Sequence, residues 1–370
     1  MAKERILVIN PGSTSTKIAL FQGEELVFAE TLHHSSKELG TCKRVIDQFP
    51  LRRRALETFL QEKKIDLDSL AAVVGRGGVL TPVVGGTYTV NREMITELRE
   101  APRGEHASNL GALLANEIAA AVGIPAYIVD PVVVDELEPL ARVTGMAGIK
   151  RRSIFHALNQ KAVARRAAKE LGRSYTEVNL VVAHLGGGIS VGVHSNGRVI
   201  DVNNALDGDG PFSPERSGSV PAGDLIRLCF SGKLTEREIY RNIVGGGGLV
   251  GYLGTNDARE IEERINKGEE EAQFYYEAMA YQIAKEIGAA STVLKGQLDA
   301  IVLTGGLAHS NLLTGWIRER VNFLAPVLIY PGEGELEALA QGALRVLRGE
   351  EKAKLYSPGG KGKNVGRARI

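Results

Sequence analysis

Apolar residues in this chain fall into two patterns: short runs rich in Val, Ile and Leu that stop at glycines, and longer segments with apolar positions three and four apart. The first pattern predicts strands and the second predicts helices. Arg5–Ile9, Thr16–Phe21 and Leu26–Leu32 read as three strands, with Asn10-Pro11-Gly12-Ser13 breaking the first from the second. A helix is expected near Leu51–Lys64, a buried strand at Ala71–Gly75, a helix over Ser108–Val122 stopped by Gly123, and a strand at Tyr127–Val129 that ends on Asp130. Ser153–Leu171 has helical spacing throughout.

The opening plan then returns roughly 170 residues further on, as Asn179–His184, Ile189–His194 and Arg198–Asn203, broken by Gly186-Gly187-Gly188 and by the hairpin pair Asn196-Gly197. Helices are expected near Asp224–Phe230, Thr235–Val244, Asn256–Asn266 and Glu269–Leu294. A strand at Ala300–Thr304 runs into Gly305-Gly306, and a further helix, a strand at Val327–Tyr330 and a helix over Glu335–Leu347 follow. Gly246–Gly251 formally spells GxGxxG, but it follows a helix instead of a strand and reads as a flexible glycine loop. Alternating strands and helices with a duplicated three-strand opening predict an α/β protein of two related domains. Ligands in such folds bind beyond the strand ends, so the glycine turns at 10–13, 186–188 and 304–306 are expected to face one interdomain cleft.

Length supports two cores, because 370 residues exceed what one hydrophobic core usually serves. The 45 basic and 44 acidic residues leave a net charge of +1, which gives no field for a nucleic acid or an anionic membrane. Cys42 and Cys229 stand far apart with no CxxC, as expected in a reducing cytosol without a disulfide framework or structural zinc. With no signal-peptide pattern and no apolar run near 18 residues long, a cytoplasmic protein that does not span a membrane is expected.

No GxxxxGK[ST] is present, so the chain lacks a P-loop. Asn10-x-Gly12-Ser13-x-Ser15-x-Lys17 instead places backbone amides, hydroxyls, an amide side chain and a lysine on one turn between strands. Such a turn suits phosphate oxygens and the water shell of a metal, although a purely structural β-turn has the same composition.

This signature resembles that of the acetate kinase family, within the sugar kinase/actin/heat-shock chaperone superfold. The likeness continues in order along the chain: Arg76 at a strand end, Asp130 after the next strand, Phe155-His156, His184-Leu185-Gly186, Arg216 in Arg-Ser-Gly-Ser, Asn256-Asp257-x-Arg259, and Thr304-Gly305-Gly306-Leu307. Two departures, Val129-Asp130-Pro131-Val132-Val133-Val134-Asp135 and Pro211-Phe212-Ser213-Pro214-Glu215-Arg216, are similar to the butyrate and branched-chain fatty acid branch of that family.

The resemblance implies ribonuclease H-like βββαβαβα cores on either side of an active-site cleft. The N-terminal domain (1–152) would take the acid, with residues 340–370 packing back on it, and the C-terminal domain (153–339) would take the nucleotide and make a homo-oligomer. The reaction implied is transfer of phosphoryl from ATP to the carboxylate of a short-chain fatty acid, with Mg²⁺.

Residue by residue, the resemblance gives Arg76, Asp130, His156 and Arg216 to catalysis. It gives Asn10, Ser13, Ser15, Lys17, His184, Gly186 and Gly187 to the phosphates, and Asp257, Arg259, Gly305, Gly306 and Ser310 to the nucleotide. The acid pocket would hold Gly78, His106 and Phe155, and Mg²⁺ would sit at Asn10 with either Glu333 or Glu335. Where acetate kinases carry two valines this chain has Gly77 and Gly78, which are expected to leave room for a longer acid. Isobutyrate, propionate or acetate are the alternative acids. A non-catalytic nucleotide switch of the same superfold is the alternative of another class.

Overall fold

The computed structural model describes residues 4–358. In chain order the strands are β1 (Arg5–Pro11), β2 (Ser15–Gln22), β3 (Glu25–His33), β4 (Ala72–Arg76), β5 (Thr87–Thr89), β6 (Ala126–Val129), β7 (Asn179–Leu185), β8 (Ile189–Ser195), β9 (Arg198–Val202), β10 (Ala300–Gly305), β11 (Val327–Pro331) and β12 (Lys354–Leu355). They form a seven-stranded sheet ordered β12-β5-β6-β4-β1-β2-β3 and a five-stranded sheet ordered β11-β10-β7-β8-β9. In the first sheet β1, β2 and β3 are antiparallel neighbours, and β4 and β6 add in parallel beyond β1. The second sheet repeats this with β7, β8 and β9, then β10 and β11. The repeat seen in the sequence is thus a repeat of topology.

The continuous apolar runs belong to central strands covered on both faces. Leu180 and Val182 of β7 pack with Ala164, Ala167 and Ala168 of the helix Ala157–Glu170. The alternate residues Val181 and Ala183 join Met279, Ile283 and Ile287 of the long helix Glu270–Val293. The period of two along the strand places one helix on each face. In the first sheet, Leu7 and Ile9 share a core with Leu56, Leu110 and Leu114.

The chain divides into two compact units, Met1–Val134 with Gly334–Ile370, and Asp135–Glu333. The divisions expected at 152/153 and 339/340 therefore move to 134/135 and 333/334. Residues 135–152 are tied into the second unit: the Glu138 amide donates to the Ile200 carbonyl (2.9 Å), and Arg151 pairs with Asp201 (2.8 Å). The last helix, Glu335–Leu347, belongs whole to the first unit. Of the expected C-terminal segment 340–370, residues 359–370 lie outside the described residues.

Two expectations change. The helix read from Ser153 begins at Ala157 with His156 as its cap, because the Ala157 amide closes a tight turn onto the Phe155 carbonyl (2.9 Å). The supposed flexible loop at Gly246–Gly251 is ordered, with Gly248–Leu253 forming a helix. Its glycines let it lie on the 213–216 backbone: the Leu249 and Val250 amides donate to the carbonyls of Ser213 (3.2 Å) and Pro214 (2.9 Å), and a Cβ at Gly248 would strike the Ser213 and Arg216 carbonyls. No helix among the described residues is long and apolar enough to cross a membrane.

Candidate active site

In the first unit the turn between β1 and β2 is closed by the Gly12 amide donating to the Ser15 carbonyl (2.8 Å), with Asn10 opposite Lys17 in register. Arg52, fully buried on the helix Phe49–Glu62, supports this turn from beneath. Its guanidinium donates to the carbonyls of Ser13 (2.9 Å) and Ser15 (2.8 Å) and to Thr16 Oγ1 (3.0 Å). The exposed side chains of Ser13 and Lys17 are thus carried on a fixed backbone. Sequence reasoning missed Arg52, which sits in a run of three arginines where spacing alone distinguishes none of them.

Arg76 ends β4 and forms an ion pair with Glu335, the first residue of the last helix. Asn10 Nδ2 donates to the other oxygen of that carboxylate (2.8 Å). Burial pushes the Glu335 carboxyl up, but Arg76, the Asn10 amide and Lys17 outweigh it and hold it below the usual carboxylate range. The two candidate glutamates stand in different places: Glu335 joins Asn10 and Arg76, whereas Glu333 belongs to the second unit. Asn10 and Glu335 offer a small oxygen-donor set, which fits a metal held mainly by phosphate oxygens and water. No group of three or more His, Cys, Asp and Glu side chains is placed to hold a metal among the described residues.

Asp130 follows β6 with φ 36°, a conformation unusual for a residue with a side chain. Its Oδ1 accepts from the Gly86 amide (2.6 Å) and its own amide donates back to the Gly86 carbonyl (3.0 Å), so the carboxylate is clamped in place. His106 Nδ1 accepts from the Ser108 amide (3.2 Å). Packing around its ring and the Arg76 guanidinium hold its pKa below the ordinary histidine value.

The space beside Gly78, expected to be open, is taken by neighbouring residues. A Cβ there would lie 2.6 Å from the Asn109 Cα and 2.8 Å from Leu98 Cδ2, and one at Gly77 would lie 2.6 Å from Pro131 Cβ. Gly78 lets the chain after Arg76 pass against the helix Asn109–Ala121, whose Asn109 Oδ1 accepts from the Val79 amide (2.8 Å), and Gly77 lets it pass against Pro131. The space that two side chains here would take is filled by Asn109, Leu98 and Pro131.

In the second unit, seven predicted residues, Gly186, Gly187, Asp257, Arg259, Gly306, Ser310 and Glu333, line one cavity of about 630 Å³. Ser310 caps the helix Asn311–Val321 by accepting from the Leu313 amide (2.9 Å). Asp257 and Arg259 pair at the rim (2.7 Å), and the hydrogen bonds from Arg259 lower the Asp257 pKa to about 2. Gly305 is not among the lining residues. With φ 91° and Leu185 backbone where its Cβ would stand, it serves the packing of β10 on β7.

Arg216 is half-buried and donates to the Ala205 carbonyl. Burial lowers its pKa, opposed by Glu215, Asp207 and Tyr240. Its guanidinium occupies the place where a Cβ on Gly188 would be. The third glycine of the run therefore exists to admit Arg216. Ser213 Oγ donates to the Gly187 carbonyl (2.5 Å), which ties that turn to the segment carrying Arg216.

His156 and His184 stack in parallel, with ring centroids 3.7 Å apart and planes 10° apart. Asn159 Nδ2 donates to the Glu333 carbonyl (2.7 Å), so Asn159 Oδ1 faces His184 Nδ1 (2.7 Å) and makes that nitrogen a donor. His156 Nδ1 meets Ser190 Oγ (2.9 Å). Phe155 is buried in the same unit at 2% exposure. Asn159, Gln160 and Ser190 were missed, since polar residues on an apolar helix face or strand carry no signature of their own.

Residues 141–322 match the acetokinase family model. The chain is 56% identical over 354 residues to "Butyrate kinase 2" of Clostridium acetobutylicum, covering 96% of this chain and 99% of that one. Among solved structures it is similar to an acetate kinase from Porphyromonas gingivalis (TM-score 0.76, 20% identity, 93% of this chain and 99% of that one). It is also similar to a propionate kinase from Francisella tularensis subsp. tularensis (TM-score 0.72, 20% identity, 91% and 98%). At that identity the structures establish a shared fold, and the duplicated sheet order is its local expression. With more than half its residues identical along nearly its full length to such a relative, the chain belongs to the acetokinase family.

Proposed function

We propose that this protein phosphorylates the carboxylate of a short-chain fatty acid with ATP, reversibly, and that butyrate is its preferred acid. The full-length identity to a butyrate kinase carries the reading. The clustering of the predicted nucleotide residues around one cavity of about 630 Å³, a size typical of small-molecule sites, supports it.

The chemistry asks little of an acid or base. A carboxylic acid with a pKa near ~4 is already ionised at neutral pH. One of its oxygens forms a bond to the γ-phosphorus, the bond from that phosphorus to the β,γ-bridging oxygen breaks, and ADP leaves with the electron pair. No proton changes hands. The demand is electrostatic: two anions must meet, and charge on the transferring phosphoryl must be held in place. Arg216 and Arg76 supply planar guanidinium groups suited to carboxylate and phosphoryl oxygens. Lys17, the amides of the Gly12–Ser15 turn and those of the Gly186-Gly187 turn suit phosphate. His156 donates an N–H to a phosphoryl oxygen. Asp130, clamped by Gly86, orients the reacting groups without taking a proton. Asn10 and Glu335 would hold Mg²⁺, which supplies neutralising charge on the phosphates. A cytosolic homo-oligomer working on small acids belongs to the same proposal.

The test is acyl hydroxamate formation from ATP, hydroxylamine and a panel of acetate, propionate, butyrate and isobutyrate. Two buried methylenes at about 0.8 kcal/mol each predict that butyrate exceeds acetate in kcat/KM on the order of 15-fold. A panel in which no acid yields hydroxamate sinks the reading, and a maximum at acetate sinks the choice of butyrate.

A further inference from the structure

We infer that a buried chain of hydrogen bonds, Tyr175–His194–Gln160–Ser190, fixes His156 as the Nε2–H tautomer, so that it meets an anion as a neutral N–H donor. The donor role of His156 rests on the function proposed above. The assignment of its protons rests only on this chain of contacts.

The polarity of the chain is anchored by one backbone carbonyl. Gln160 Nε2 lies 2.9 Å from the Ser190 carbonyl oxygen, which only accepts, so this end of the amide is the NH₂ group. Its second hydrogen goes to Ser190 Oγ (2.8 Å). Gln160 Oε1 is then an acceptor, and its partner His194 Nε2 (3.1 Å) must carry a proton. Burial, Lys161 and Arg165 hold the His194 pKa well below the ordinary value, which keeps that ring neutral. A neutral ring with Nε2–H has a lone pair on Nδ1, and Tyr175 hydroxyl stands 2.8 Å away to donate to it.

In the other direction, Ser190 Oγ already accepts from Gln160 and is completely buried, so its own hydrogen needs an acceptor. His156 Nδ1, at 2.9 Å, is that acceptor. A His156 whose Nδ1 accepts carries its proton on Nε2. Ser190, Gln160 and His194 are all at 0% exposure, and a buried polar chain of this kind is stable only when each donor finds its acceptor. A Cβ on Gly192 would collide with Gln160 Oε1, so the strand residue beside the amide is one that leaves it room.

The stacked partner is set the opposite way. Asn159 fixes the proton of His184 on Nδ1. Two parallel rings 3.7 Å apart thus hold their protons on opposite nitrogens. Gln160, Ser190 and His194 act as positioning residues, since each works through His156.

Long-range ¹H–¹⁵N correlation spectra of the uniformly ¹⁵N-labelled wild-type chain read the tautomers directly, with His156→Gln and His184→Gln used to assign the rings. The expected result is Nε2–H for His156 and Nδ1–H for His184. Ser190→Ala removes the donor to His156 Nδ1 while the residue 190 carbonyl still accepts from Gln160. His156 should then lose its single tautomer, kcat should fall on the order of tenfold with little change in the KM for ATP, and Ser190→Thr should restore both. Wild-type His156 found as Nδ1–H or as the cation overturns the inference, whatever the stability of the variants. So does a Ser190→Ala protein that keeps His156 as Nε2–H. A wild type that shows the expected tautomers but makes no acyl phosphate would refute the proposed function and leave the proton assignment standing.

Discussion

The β1–β2 junction of the first unit and the β7–β8 junction of the second occupy the same place in the same sheet order, yet they are built from different chemistry. At the first, Asn10 faces Lys17 across the strands, Arg76 is paired to Glu335 nearby, and a buried arginine, Arg52, holds the turn from below. At the second, His184 faces Ser190, the turn is three glycines held by Ser213 with the Arg216 guanidinium fitted against Gly188, and Asn159 and Ser190 hydrogen-bond the two stacked histidines. The repeated scaffold supplies positions only. The first junction is tuned by charge, so it should respond to charge-neutralising changes and to pH. The second is tuned by shape and by donor direction, so it should respond to substitutions that keep the charge and alter the geometry.

Arg216→Lys tests the second half of that contrast and should have the largest effect. It keeps the positive charge but loses the planar fork that fits over Gly188. We expect kcat to fall about 10²–10³-fold with the KM for ATP within about threefold. An unchanged kcat would mean that charge alone suffices there. Gly78→Val, in the first unit, should come next and act on the fold instead of on acid choice. The added Cβ meets the Asn109 Cα at 2.6 Å, and overpacking of this kind costs about 1–3 kcal/mol. Thermal melting should show a lower Tm, and kcat/KM for all four acids should drop by one common factor. A selective loss of butyrate over acetate would return Gly78 to the acid pocket.

Much of this was legible in the sequence because the signals were local. Strand runs, the Asn196-Gly197 hairpin and the duplication follow from apolar spacing and turn residues, and the cavity of the second unit gathers motif residues read one by one. What stayed hidden depends on contacts between distant segments. The helix Arg92–Glu100 buries only Met94, Glu97 and Leu98, too thin a stripe to stand out. The glycines at 77, 78 and 188 look alike in sequence, and only their neighbours tell that the first admits Pro131, the second a helix and the third a guanidinium. Gln160 and Ser190 become informative only when β8 lies beside the helix that starts at Ala157.

Glu335→Gln probes the charge-tuned junction with a smaller change. The amide still accepts from Asn10, but the pair with Arg76 is lost and the oxygen available to a metal is weaker. Half-saturation by Mg²⁺ should rise by about tenfold, with kcat at saturating Mg²⁺ reduced much less. The pH dependence of stability has a definite sign. Because the folded pKa of Glu335 is depressed, its contribution is complete above the unfolded value of about 4.3 and disappears as pH falls through the lower folded value. Acid unfolding followed by circular dichroism should therefore show a shallower acid limb in Glu335→Gln than in the wild type. Identical limbs would mean that the Arg76 pair adds nothing.

Asp130→Asn should give the smallest change in stability and the clearest statement about the reaction. Asparagine tolerates a positive φ and keeps an oxygen to accept from the Gly86 amide, so the clamp at φ 36° survives and Tm should stay within the noise of the wild type. The rate should fall because a negative charge that orients the reacting groups has gone. The shape of the pH profile is the informative part. If Asp130 were a general base, removing it would leave hydroxide to do the work, and residual activity would climb about tenfold per pH unit near neutrality. A fatty acid that is already ionised at that pH needs no base, so the profile of Asp130→Asn should run parallel to the wild type at a lower level. The measurement is kcat/KM for butyrate between about pH 6 and pH 9 in both proteins. A tenfold-per-unit rise confined to the variant would replace the orienting role with proton transfer, and would give the first unit a task beyond holding charge.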